Sequence, residues 1–204
     1  MPERVIAYID GYNLYFGLRD ANLKRYFWLN LQLLATHLLK QGQDLVFTKY
    51  FTSRVSYPKD KQERQALFLE ALQTLDNTTI HYGQFQLNPR RCRNCGHKDL
   101  VPNEKMTDVN IAVEMLSDAF RDSFDTALLI SGDGDLRAPL VAVRDNFPNK
   151  RVVIAFPPER YSFRLAETAS AYFTIGRANL AKSLFPYELQ KPDGFRLRCP
   201  DSWR

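Results

Sequence analysis

Two apolar runs in this sequence each deliver an aspartate into a glycine turn. Residues 5–9 (VIAYI) end at Asp10, with Gly11 next, and residues 126–130 (TALLI) end in Ser131-Gly132-Asp133-Gly134-Asp135. Glycine lets the chain turn sharply and lets a ligand approach the backbone, and short turns hold their carboxylates rigidly. A third acid, Asp108, stands in EKMTDVN (residues 104–110), where a polar stretch gives way to helical periodicity. Carboxylates that converge repel one another unless a cation neutralises them, and oxygen-only ligands select hard ions such as Mg2+ or Mn2+. Such ions serve phosphate chemistry, activating water and offsetting the charge of a phosphodiester. Each acid also has a structural reading. Asp10 and Asp135 suit helix caps, Asn13 suits a cap or a first-turn polar group, and Thr107 suits a cap with Asp108 as a favourable first-turn charge. One cap explains one aspartate; it does not explain Asp133 or the repetition of the pattern at Asp10.

The elements that position these acids follow from periodicity. The runs 5–9, 126–130 and 151–156 carry no alternation of polar residues, which marks strands covered on both faces. Strands are also expected at 44–52, rich in β-branched and aromatic residues, and at 78–85, with a short one at 172–175. Helices are expected over 14–22, 29–40, 59–75, 106–120, 136–144 and 177–184, with 162–169 unassigned. Strands alternating with helices imply an α/β fold with a central, mainly parallel sheet and helices on both faces. In such sheets ligands bind beyond the carboxyl ends of the strands, where Asp10 and Asp133 fall. The expected organisation is one domain over 1–185, an insertion loop near 88–103 and an irregular tail over 186–204.

Composition narrows the class. The 204 residues are 45% hydrophobic and 13% aromatic, enough for a full core, and the net charge of +5 admits a polyanionic partner without demanding one. No run approaches the roughly 18 apolar residues a membrane helix needs. Three cysteines, two of them spaced C-x-x-C, do not make a secreted disulfide framework, so a soluble cytoplasmic protein is expected. Cys92-Arg93-Asn94-Cys95-Gly96-His97 has the turn of a zinc knuckle with half a tetrahedral site visible. His97, His81 and Cys199 are candidates for the other ligands, and a reduced thiol pair on a surface loop is the alternative. Lys105 and Arg137 flank the acidic stretches and suit phosphate contacts. Arg90, Arg91, Arg93 and Lys98 extend a basic track, with Tyr12, Tyr15 and Phe16 available for base stacking.

The stretches IDGYNLYFG, EKMTDVNIAVEML and LLISGDGDLRAPL, in this order and spacing, resemble the three motifs of the NYN domain, a branch of the PIN-like nucleases, and are most similar to its LabA-like bacterial members. The resemblance spans about residues 5–173. It implies a PIN-like three-layer α/β/α sandwich in which the first and fourth strands are neighbours. It further implies that Asp10, Asp108 and Asp133 hold a Mg2+ or Mn2+ ion, that Asp135 is a fourth acid beside it, that Asn13 is a polar group at the site, and that Ser131 orients a ligand.

The expected activity is metal-dependent endoribonucleolytic hydrolysis of single-stranded or locally unpaired RNA. A catalytically weak or inactive RNA-binding module of the same fold is the competing reading. The intact acid set favours the enzyme, because binding alone has no need of clustered repulsive carboxylates. A small-molecule phosphohydrolase is a third reading, disfavoured by the lack of a phosphate-binding loop or a D-x-D-x-T stretch.

Overall fold

The computed structural model describes residues 1–91 and 95–204, with side chains described outside 85–94 and 99–104. In chain order the elements are β1 (Glu3–Asp10), α1 (Gly11–Asp20), α2 (Leu31–His37), β2 (Gln43–Thr52), α3 (Lys59–Leu72), β3 (Thr78–Tyr82), β4 (Gln84–Arg91), β5 (Lys98–Lys105), α4 (Thr107–Phe120), β6 (Thr126–Ile130), α5 (Arg137–Asn146), β7 (Arg151–Phe156), α6 (Phe163–Thr168), β8 (Ala171–Thr174), α7 (Arg177–Lys182), β9 (Glu188–Gln190) and β10 (Arg196–Arg198). Six strands make one sheet in the order β3-β2-β1-β6-β7-β8, and every neighbouring pair is parallel. The first strand and the fourth strand of this sheet in chain order, β1 and β6, lie side by side at its centre.

The burial of β1 explains its unbroken apolar sequence. Val5, Ala7 and Ile9 enter one core with residues of α1, α2, α3 and α7, while Ile6 and Tyr8 enter a second core with residues of α4, α5 and α6. A strand that alternates between two hydrophobic layers needs apolar side chains at every position. The result is the expected α/β/α sandwich with a wholly parallel sheet. Among the described residues no helix is long and apolar enough to cross a membrane.

Three expectations change. The polar stretch at 88–103 is not a bare loop: its backbone forms the antiparallel pair β4–β5, in register from Gln84↔Lys105 to Arg91↔Lys98, apart from the main sheet. The segment from 186 is not irregular either. It forms the antiparallel pair β9–β10 and a 3-10 turn at Asp201–Trp203, and it places Leu197 and Cys199 in the first core. Strands of three residues are too short for alternation to show in sequence, and the prolines obscure the rest. Finally, the helix expected over 29–40 shortens to α2, because the Asn30 side chain accepts the Leu33 amide at 2.8 Å and starts the helix there. Leu29 instead bridges to Leu184.

One buried polar cluster ties α4 to the sheet. Lys49 Nζ on β2 lies 2.6 Å from both Glu114 Oε2 and Asp118 Oδ2 on α4, and Tyr8 Oη donates to Asp118 Oδ2 at 2.7 Å. Burial and this carboxylate together push the Tyr8 phenol well above its ordinary pKa. Lys49 and Asp118 are nearly inaccessible, so removing the cation strands charge rather than exposing it to water. Lys49→Met is expected to cost about 3–5 kcal/mol in urea unfolding, and adding Asp118→Asn should recover part of that loss. A loss below about 1 kcal/mol would show that the cluster is not the anchor of α4.

Candidate active site

Asp10 ends β1 and caps α1. Its Oδ1 accepts the Asn13 amide at 3.0 Å, and its Oδ2 accepts Asn13 Nδ2 at 2.7 Å and Ser131 Oγ at 2.9 Å. The helix therefore starts at Gly11, ahead of the start at Leu14 that the apolar spacing suggests, and Asn13 lies in its first turn. Asp10 is only 2% exposed, so these donors are what make its charge tolerable. Burial raises the proton affinity of the carboxyl above the ordinary carboxylate range. The donors from Asn13 and Ser131 pull it back, and the charge of Asp133 raises it further.

The loop after β6 is bound to the same carboxylate. Ser131, fully buried, donates to Asp10 and accepts the Asp133 amide at 3.0 Å, while the Gly132 amide donates to Asn13 Oδ1 at 3.2 Å. Asn13 thus gives at one end of its amide and receives at the other. Two glycines are required by close approach. A Cβ on Gly11 would lie 2.6 Å from the Tyr50 hydroxyl and 2.7 Å from the Phe51 carbonyl oxygen; one on Gly132 would lie 2.9 Å from Arg160 Cβ. Tyr50 and Arg160, which nothing in their sequence context marks, are the backstops of the two acidic loops.

Asp133, half-buried, is a cap as well. Its Oδ1 accepts the Asp135 amide at 3.0 Å and starts a 3-10 turn at Gly134–Leu136. The capping role thus belongs to Asp133, and Asp135 is a carboxylate one step further on. Asp108 enters from another element, the first turn of α4, after the buried Thr107 and a left-handed Met106 at φ 80°. It precedes Ile111 and Met115, both fully buried, by three and seven residues, which sets it on the sheet-facing side of the helix. Asn110 Nδ2 donates to the carbonyl of Tyr82, the last residue of β3, at 3.3 Å. The start of α4 therefore lies at the carboxyl edge of the parallel sheet, as do Asp10 and Asp133.

The network joining Asp10, Asn13, Ser131 and Asp133 is continuous. Among the described residues no three His, Cys, Asp or Glu side chains are gathered into a metal cage. The chemistry of the donors nevertheless suits a hard cation: they are carboxylates, a hydroxyl and an amide oxygen, and Oδ1 of Asp10 carries one accepted hydrogen bond against two on Oδ2. A dication would lower the cost of two neighbouring carboxylates in a poorly hydrated floor.

The flanking candidates are dispersed. Lys105, at the end of β5, and Arg137, at the start of α5, are exposed. Arg90 and Arg91 belong to the backbone of β4, and their side chains lie outside the description; Cys92 and Arg93 lie outside the described residues. Cys95 is an exposed free thiol and His97 is exposed. His81 stacks on Phe51 in the second core, whereas Cys199 is buried in the first, on the other side of the sheet, so no single zinc site holds both. Tyr12, Tyr15 and Phe16 occupy a different face of α1 from Asn13 and line a cavity.

The NYN domain model matches residues 4–176. The chain is 29% identical to 6-hydroxy-3-succinoylpyridine 3-monooxygenase of Pseudomonas putida over 180 residues, covering 70% of this chain, and it spans 56% of that relative's length. A protein of unknown function from Vibrio parahaemolyticus shares the fold, with a TM-score of 0.57 at 20% identity over 90% of this chain and 97% of that one. The NYN match runs from Arg4 in β1 to just past β8, across both acidic loops and the first turn of α4, and on that extent the chain belongs to the NYN domain family of PIN-like nucleases.

Proposed function

We propose that the protein is a metal-dependent endoribonuclease acting on single-stranded or locally unpaired RNA. The observation that carries this reading is the joining of two acidic segments of an NYN domain: the Asp10 carboxylate, at the end of β1, and the Asp133 amide, in the loop after the adjacent parallel strand β6, bond the same buried Ser131 hydroxyl. Asp10, Asp108 and Asp133 would hold Mg2+ or Mn2+. When bound, the ion supplies a water of lowered pKa and positive charge against a phosphodiester. Asn13 and Ser131 fix the orientation of the Asp10 carboxylate. Asp135, at the rim, accepts a proton from a water or orients it. Lys105 and Arg137 meet phosphates, and the arginines at 90, 91 and 93 lengthen the cationic track.

A second reading follows from the relative named as a monooxygenase of a pyridine, namely oxygenation of a heteroaromatic acid. That reaction consumes O2 and a reductant, so reductant-dependent O2 uptake with pyridine carboxylic acids separates it from hydrolysis.

Asp10→Asn should abolish RNA cleavage on gels in Mn2+ while binding measured by anisotropy persists or tightens, since negative charge is lost. Cleavage that survives both this variant and EDTA would refute the assignment of the site, and steep salt-dependent binding with no cleavage would return the binding-module reading. Asp133→Asn keeps an oxygen for the Asp135 amide and removes a repulsive charge. Its metal-free melting temperature should equal or exceed wild type, and the rise on adding Mn2+ should shrink. If the metal-free variant unfolds instead, Asp133 is structural only. Replacing Arg90, Arg91 and Arg93 together with Ala should weaken RNA binding and lower the salt slope by roughly one unit for each phosphate no longer neutralised, with little change in cleavage at saturating RNA. An unchanged slope would remove these arginines from the RNA track.

A further inference from the structure

Across α1 from the acidic loops lies a cavity of about 610 Å3, bounded by α1, β2, α3 and the 3-10 turn at Asp201–Trp203. This volume is within the roughly 300–1,000 Å3 of pockets that hold small molecules. Its walls are unusual in two respects. Eight of the lining side chains are aromatic; the rings of Tyr15 and Phe27 lie 4.8 Å apart, Phe27 meets Trp203 edge-on at 5.7 Å, and Trp203 meets Phe68 at 6.3 Å, forming a continuous aromatic band. The lining also holds four cations, Arg19, Lys24, Lys61 and Arg64, and no carboxylate.

Two of those cations are already occupied. Arg19 pairs with Asp20 at 2.9 Å and lies over the Phe16 ring, and Arg64 pairs with Asp60 at 2.8 Å. The ammonium groups of Lys24 and Lys61, both on exposed residues, make no ion pair among the described residues. An aromatic-walled cavity with two uncommitted ammonium groups suits a planar ring that bears an anion.

We infer that this cavity binds a nucleotide, its base against the aromatic band and its phosphate at Lys24 and Lys61. The choice of a nucleotide over other aromatic anions rests on the nuclease reading, because Gly11 and Tyr12, which line the cavity, adjoin Asp10 and Asn13 in the first turn of α1. The same base-and-phosphate chemistry is offered by a free mononucleotide and by one residue of an RNA chain.

The test is a titration of the full chain in EDTA, followed by calorimetry, with AMP and UMP, their nucleosides, inorganic phosphate, nicotinate and a 5′-phosphorylated trinucleotide. The mononucleotides should bind saturably, with the nucleosides and inorganic phosphate each weaker by roughly tenfold or more. Lys24→Ala with Lys61→Ala, both at the surface, should reduce nucleotide affinity by a similar factor without changing the melting temperature. Tyr15→Leu should weaken nucleotide and nucleoside alike. A trinucleotide that binds more tightly than AMP identifies RNA as the source of the ligand, and equal affinity identifies a free nucleotide. Asp10→Asn should bind as wild type does, which separates this site from the acidic one: nucleotide binding without any RNA cleavage supports the cavity and refutes the nuclease, and cleavage without nucleotide binding does the reverse. The inference is overturned if nucleotides fail to saturate by about 10 mM, if the double lysine variant binds undiminished, or if nicotinate binds where nucleotides do not.

Discussion

The candidate site depends on one constraint: a carboxylate placed in the floor of a parallel sheet must be given donors. Asp10 stands at the carboxyl end of the central strand, almost without access to water, and its charge is held by the Asn13 amide, the Asn13 side chain and the Ser131 hydroxyl. Those donors come from two segments, the first turn of α1 and the loop after β6. Stabilising Asp10 therefore fixes the distance between the end of β1 and the end of β6. Ser131 also receives the Asp133 amide, so the carboxylate that caps the next turn is placed by the same hydroxyl. The acid pair and the register of the two loops are one problem with one solution. Burial raises the proton affinity of Asp10 despite these donors, and the charge of Asp133 adds to it.

The opposite layer solves a different problem with similar means. Helix α4 must carry Asp108 to the sheet edge, and apolar packing alone fixes a helix's depth better than its rotation. Lys49 between Glu114 and Asp118, with Tyr8 donating to Asp118, sets that rotation through directional contacts. Asn110, bonded to the end of β3, holds the first turn. Ile111 and Met115 then supply the burial that offsets the cost of such a cluster. The two charge-bearing layers are thus coupled through β1, which carries Asp10 at its end and Tyr8 two residues earlier.

Much of this is legible in the sequence, for identifiable reasons. The runs at 5–9, 127–130 and 152–156 are apolar throughout because both faces of the sheet are covered, and that condition leaves a distinct pattern. The acids at 10 and 133 are visible because each follows such a run and sits beside a glycine. What the sequence hides depends on distance in the chain. Nothing around Lys49 announces that Glu114 and Asp118 meet it, and nothing around Trp203 announces that it faces Phe27 and Phe68. The cap falls to Asp133 and not Asp135 because aspartates two apart suit the position equally, and only the backbone decides which side chain reaches the amide. The β9–β10 hairpin is too short to carry a periodic signal, although Leu197 is fully buried.

Helix α1 shows how one short element keeps opposite charges apart. Tyr12, Tyr15, Phe16 and Arg19 recur at helical spacing and face the cavity; Leu14 and Leu18 face the core; Asn13 faces the acidic loops, with Gly17 on the same side against Pro157 and Pro158. Were Lys24 and Lys61 on the Asn13 face, they would pair with Asp10 and Asp133, and such a pair would remove both the reason for a cation at the acids and the reason for an anion at the lysines. Separation by the width of a helix preserves both. The net charge of +5 therefore says little about where a polyanion would lie. The asymmetry is local: acids at the end of β1 and in the loop after β6, and exposed lysines lining the cavity on the far side of the helix that begins there.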